Sequence, residues 1–115
     1  MHTQSRNEVV LVGRVSADPE DRELPSGDVL TTFRLVVDRP PPTRPLPEGV
    51  RPATTDTLDC VAWTGRVQRS ARALQAGDVV AVEGALRRRF WRSPTGAASR
   101  CEVELGGLKR LERAS

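Results

Sequence analysis

Four arginines and two aromatic residues fall within the six residues 87–92: Arg87, Arg88, Arg89, Phe90, Trp91 and Arg92. No acid occurs from residue 85 to residue 101. Guanidinium groups can follow a phosphate backbone, and rings between them can stack on unpaired bases. That combination is what a sequence-tolerant single-strand binder requires. The same residues could also form a solvated basic hairpin whose rings cap the core. Phe33 is better placed for core packing, since it shares a strand face with Leu35. Thr32, Arg34 and Val36 take the opposite face.

The elements holding this stretch are readable from periodicity. An apolar run, Val79-Val80-Ala81-Val82, precedes it, and the alternating Cys101-Glu102-Val103-Glu104-Leu105 follows. Pro94 and Gly96 supply turn chemistry between them, which predicts a β-hairpin. Strands are expected over 8–15, 29–38, 56–63, 78–89 or beyond, and 99–111. Val9 to Val12 form a continuous apolar run, expected to be covered on both faces, with Gly13 at a bend or bulge. In the third strand Leu58, Cys60 and Ala62 face one way and Thr57, Asp59, Val61 and Trp63 the other. Residues 66–75 read as a short helix. Val67, Ser70, Ala71 and Leu74 point inward, Arg66, Arg69 and Arg72 outward, and Gly77 ends it. Residues 18–20 and 24–28 read as turns. Six prolines between residues 39 and 55 predict a loop, with Arg39, Arg44 and Arg51 available to guide a strand.

A chain of 115 residues suits one domain with a modest core. The net charge is +3, unevenly spread: acids crowd residues 18–28, while residues 60–77 and 85–101 carry arginine and no carboxylate. Such a basic side points to a polyanionic partner. No signal-like or membrane-spanning stretch is present, so a cytoplasmic location is expected. Cys60 and Cys101 are too few for a zinc site, and are expected to be reduced, though close across a ladder. The lone histidine, His2, lies in a lead (residues 1–6) expected to be flexible. No catalytic constellation, metal or cofactor is therefore expected.

Three strands, a helix and two further strands make the order of a mainly β, five-stranded oligonucleotide-binding (OB) barrel, over residues 7–111. Residues 112–115 form the end.

Several stretches resemble the bacterial single-stranded DNA-binding proteins, a family that itself exemplifies the stacking mode. They are Asn7-Glu8-Val9-Val10-Leu11-Val12-Gly13-Arg14, residues 18–27, and residues 77–87 with the run to Trp91. The resemblance implies sequence-tolerant binding and protection of single-stranded DNA, in replication, repair, recombination or DNA uptake, by a nucleoid-associated homotetramer built as a dimer of dimers. It also implies stacking roles for Trp91 and Trp63, and basic roles for Arg87 and Arg89. Two other stacking positions of the family are not aromatic here, being Thr57 and the Pro40-Pro41 region. Arg14, Arg34, Arg66, Arg88, Phe90 and Arg92 complete the candidate DNA-binding set. The final residues 109–115 lack the family's acidic tip, so the chain resembles a short paralogue expected to recruit few tip-dependent partners. Two other readings remain: a primosomal-type OB accessory protein, and an OB subunit that contacts proteins with little nucleic-acid binding.

Overall fold

The computed structural model describes residues 3–115. Met1 and His2, part of the lead expected to be flexible, lie outside the described residues. Residues 3–8 are exposed and have no regular structure.

Strands β1 (Val9–Val15), β2 (Glu20–Glu23), β3 (Val29–Asp38) and β4 (Thr55–Ala62) precede helix α1 (Gly65–Arg72). Strands β5 (Val79–Ser93) and β6 (Gly96–Glu112) follow it. The sheet order is β1-β5-β6-β4-β3-β2, and β1 also pairs with β3. Five strands therefore close a ring, with β2 on its rim. The expected five strands and the helix before the fourth are all present. The ring is not wholly antiparallel: β4 and β6 run parallel, with Cys60 opposite Val103.

Strand β2 fills the gap between the two expected turns and takes Glu20 from the first. All four of its residues are exposed, so it has no apolar alternation to announce it. It is held instead by its ladder to β3 and by Asp21. That carboxylate accepts the Thr31 hydroxyl at 2.7 Å and Arg72 Nε at 3.0 Å, joining the rim to the helix. The Thr31 hydrogen bond, then Arg72, hold the Asp21 carboxyl below the ordinary carboxylate range.

The core gathers Val15, Phe33, Leu35, Cys60, Ala62, Val67, Ala71, Leu74, Val80, Val82, Val103 and Leu105. Phe33 and Leu35 face it as expected. In β1 the burial alternates: Val10 and Val12 are 76% and 52% exposed, so the second face of this strand has no cover among the described residues. Gly13 lies in an unbroken ladder with β5, not at a bulge. Its role is close approach, because a Cβ there would collide with the carbonyl oxygen of Val36 as β1 crosses to β3. The β5–β6 ladder shifts register twice, between Val79 and Val80 and at a bulge between Glu83 and Gly84. A Cβ at Gly84 would collide with the Glu104 carbonyl oxygen. Bulges bend and twist a strand, and this one stands where β5 leaves β1.

The helix is shorter than the expected 66–75, and one position of its inward stripe changes. Ser70 is exposed, while Gln68 is buried. The Gln68 amide donates to the carbonyl oxygens of Val29 (2.6 Å), Ala62 (3.2 Å) and Trp63 (3.2 Å). A polar side chain can be buried here because strand ends present unpaired carbonyls to it. Gly77 lies beyond the helix, in the turn before β5, where its N–H donates to Val15 O at 2.7 Å. Asp78 braces that turn, accepting from Gln75 N at 2.9 Å and Ala114 N at 2.8 Å. No strand or helix forms over residues 39–54. Arg39 closes this loop at its base, its NH2 donating to Asp56 at 2.6 Å.

Candidate nucleic-acid interface

The hairpin is longer than its sequence signature. Strands β5 and β6 pair continuously out to Ser93 opposite Gly96, leaving Pro94 and Thr95 as the tip. From the Arg87–Glu102 pair outward, the two strands have ladder partners, among the described residues, only in each other. Successive side chains of a strand point to opposite faces, so the candidate residues of this stretch divide.

One face carries Arg87, Arg89 and Trp91. Arg87 Nε donates to Glu104 Oε2 at 2.8 Å, and Arg89 Nε donates to Glu102 Oε1. The Arg89 guanidinium also lies over the Trp63 ring, 5.0 Å from its centroid, an attractive cation–π geometry. Trp91 is covered by Arg100, 5.8 Å from its centroid. Arg100 NH1 approaches Asp59 Oδ2 at 3.8 Å, and Arg34 Nε donates to Asp59 Oδ1 at 3.3 Å. The structure thus brings together Arg34, Trp63, Arg87, Arg89 and Trp91 on the outward face of β3, β4 and the hairpin.

Arg88, Phe90 and Arg92 take the other face. Arg88 donates to Ser99 Oγ at 3.1 Å and lies over the Phe90 ring at 5.9 Å. Phe90 is 72% exposed. Arg14 stands on β1, paired with Asp38 at 3.4 Å. Arg66, in the first turn of α1, is exposed. Neither Arg14 nor Arg66 makes a hydrogen bond or ion pair with the five residues above.

Beside the two tryptophans lies a groove of about 260 Å³ between β3, β4, β6 and the segment joining β1 to β2. Leu30, Phe33 and Val61 contribute its apolar floor, and Arg22, Arg34, Arg89 and Arg100 its cationic walls. Val61, on the outward parity of β4, is buried there. The walls also carry Asp18, Glu20, Asp59 and Glu102. The basic stretch without acids is therefore countered in space. Arg100, Asp59 and Glu102 were not among the candidates. The alternation Glu102-Val103-Glu104 was visible, but the cations facing it depend on register. A face that carries two rings and several guanidiniums suits flexible polyanions with aromatic bases.

Cys60 and Cys101 do not meet. Both are free: Cys60 is buried in the core, and Cys101 is exposed beside Arg88. The expected proximity fails because Val103, not Cys101, stands opposite Cys60. Among the described residues no cluster of three or more His, Cys, Asp or Glu side chains could hold a metal ion, and no helix is long and apolar enough to cross a membrane.

The closed ring and the placing of its helix define an OB fold. The SSB of Plasmodium falciparum, solved in complex with ssDNA, superposes with a TM-score of 0.76 at 25% identity, over 97% of this chain and 100% of that one. The chain belongs to the single-strand binding protein family, whose pattern matches residues 6–110. It is 42% identical over 91 residues to the single-stranded DNA-binding protein of Thermotoga maritima, covering 78% of this chain and 62% of that one. Against single-stranded DNA-binding protein A of Bacillus subtilis the identity is 38% over 90 residues, covering 78% and 49%. The chain thus spans about half to three-fifths of the length of these relatives.

Proposed function

We propose that this chain binds and protects single-stranded DNA with little regard to sequence, and performs no catalysis. Bases stack on Trp63 and Trp91, and arginines of the same face take the phosphates. The observation that carries this reading is the placing of both tryptophans on one face, each within 6 Å of a guanidinium. The named relatives support it. Replication, repair, recombination or DNA uptake is the setting, in the cytoplasm and at the nucleoid.

The test is a titration of intrinsic tryptophan fluorescence with oligo-dT, oligo-U and duplex DNA at two salt concentrations. Strong quenching by oligo-dT and little by duplex is expected. If about five arginines each neutralise one phosphate, log K falls with log salt at a slope near −3 to −4, at about −0.7 per contact. Silence toward oligo-dT would favour an OB subunit that contacts proteins instead.

We further propose a homo-oligomer, a tetramer formed as a dimer of dimers, with the exposed Val10 and Val12 of β1 covered by a second copy. Contiguous exposed apolar side chains on a strand mark such contacts. Sedimentation at micromolar concentration should give an assembly larger than the monomer, and Val10→Glu should reduce its size. A wild-type monomer would refute the proposal.

A further inference from the structure

Each tryptophan of the interface carries an arginine, and each of those arginines is held by a carboxylate, but the two arrangements are unequal. Arg89, over Trp63, is paired with Glu102, whose side chain is only 4% exposed. Removing the guanidinium would leave a buried, unpaired carboxylate, which is strongly unfavourable. Arg100, over Trp91, is paired with Asp59, whose side chain is 33% exposed. Asp59 has a second cation: Arg34 donates to Oδ1 while Arg100 approaches Oδ2. An exposed pair is worth little, and departure of Arg100 leaves Asp59 still neutralised by Arg34.

A base cannot lie on the part of a ring that a guanidinium covers. A phosphate offers that guanidinium a strong, bidentate alternative to a shared carboxylate. We propose that Asp59 is a positioning residue for DNA binding. It stores Arg100 against Trp91 in the free protein and yields it to a phosphate when the strand arrives, with Arg34 left behind as its counter-charge. Glu102, by contrast, keeps Arg89 on Trp63 throughout. The ligand therefore clears the ring of Trp91, while Trp63 keeps a guanidinium on one side and offers a base only its remaining surface. This inference rests on the reading of Trp63 and Trp91 as base platforms.

Two measurements test it. In a Trp63→Phe protein, Trp91 is the sole tryptophan and reports on Arg100. An abasic oligodeoxynucleotide at low salt has phosphates but no bases, so it should change Trp91 emission by drawing Arg100 away, and should not do so in Arg100→Gln. Separately, Asp59→Asn should tighten oligo-dT binding about 3- to 10-fold by releasing Arg100. That gain should vanish in the Asp59→Asn, Arg100→Gln double variant. A gain that persists without Arg100 would mean general electrostatics, and no gain would mean no stored cation; either result overturns the proposal. So does abasic DNA that leaves Trp91 emission unchanged, an outcome readable with Asp59 intact. If oligo-dT fails to quench the wild-type protein, the platform reading itself falls. If it quenches and the abasic strand is silent, only the stored arginine falls.

Discussion

The side-chain amide of Asn7 binds both backbone groups of Leu86: Nδ2 donates to Leu86 O at 2.7 Å, and Leu86 N donates to Asn7 Oδ1 at 2.8 Å. The amide stands in for one more backbone unit beyond the last β1–β5 pair, Val9 opposite Gly84. It ties the chain's first ordered strand to the root of the arginine hairpin. Asn7→Ala should destabilise the protein by about 1–2 kcal/mol, from two exposed hydrogen bonds at the usual net worth. Denaturant unfolding measures this. Amide exchange at Leu86 should rise in parallel, and an unchanged rate would show that the clasp holds nothing.

Trp91 and Phe90 are neighbours in sequence and opposite in space, which separates stacking from general aromatic character. Trp91→Ala should weaken oligo-dT binding by roughly 1–3 kcal/mol, the usual worth of one base platform. Phe90→Ala, on the hairpin's other face, should change affinity less than about threefold, within the scatter expected of a residue outside the platform. Equal losses in the two variants would place the strand across both faces of the hairpin.

Acid should loosen the turn before β5. Hydrogen bonds from the Ala114 and Gln75 N–H groups, and then Arg110, hold the Asp78 carboxyl below its ordinary value. A lowered folded-state value means stability that is present above the ordinary carboxylate range, about 3.9, and lost as pH falls through the folded value. Thermal unfolding should therefore show a Tm that drops as pH is lowered from 5 toward 3. Asp78→Asn should have a lower Tm at pH 7 and a shallower drop. Because Asp21 and Asp56 are lowered in the same sense, the slope should shrink without vanishing.

The two thiols should differ sharply in reactivity. Burial, with Asp59 nearby, pushes the Cys60 thiol up to about 12, and thiolate is the reacting species. Alkylation of the native protein at pH 8 should label Cys101 alone, and unfolding should release Cys60. Mass spectrometry of the labelled peptides reads the result. Rapid native labelling of Cys60 would show that the core opens.

Local pattern made the hairpin, the helix and the strand order legible, because alternation and turn residues act over a few neighbours. It could not reveal β2, an exposed rim strand whose residues Glu20, Asp21, Arg22 and Glu23 carry no apolar signal. Nor could it foresee Gln68 in the interior, since the carbonyls that satisfy it come from Val29, Ala62 and Trp63. The tryptophans and hairpin arginines were recognisable as chemistry. Their carboxylate partners were not, because Glu102 meets Arg89, and Asp59 meets Arg100, only through ladder register. Gly13 was expected at a bend or bulge; the ladder there has no bulge, and a neighbouring strand, invisible in its own segment, presses on it.

Ring closure also has a consequence for the growing chain. Strand β1 is synthesised early, yet beyond two residue pairs with β3 its ladder is with β5. At roughly 5–20 residues per second, about 3–14 s separate the emergence of Val15 from that of Gly84. Through that interval Val9 to Val12 wait as an unpaired apolar edge, the kind of surface that chaperones bind and that neighbouring nascent chains can capture. Strand β5, whose outer half carries Trp91 and the hairpin arginines, is thus also the strand that pairs with the first, so the candidate interface takes shape only in the same event that satisfies the early strand's open edge.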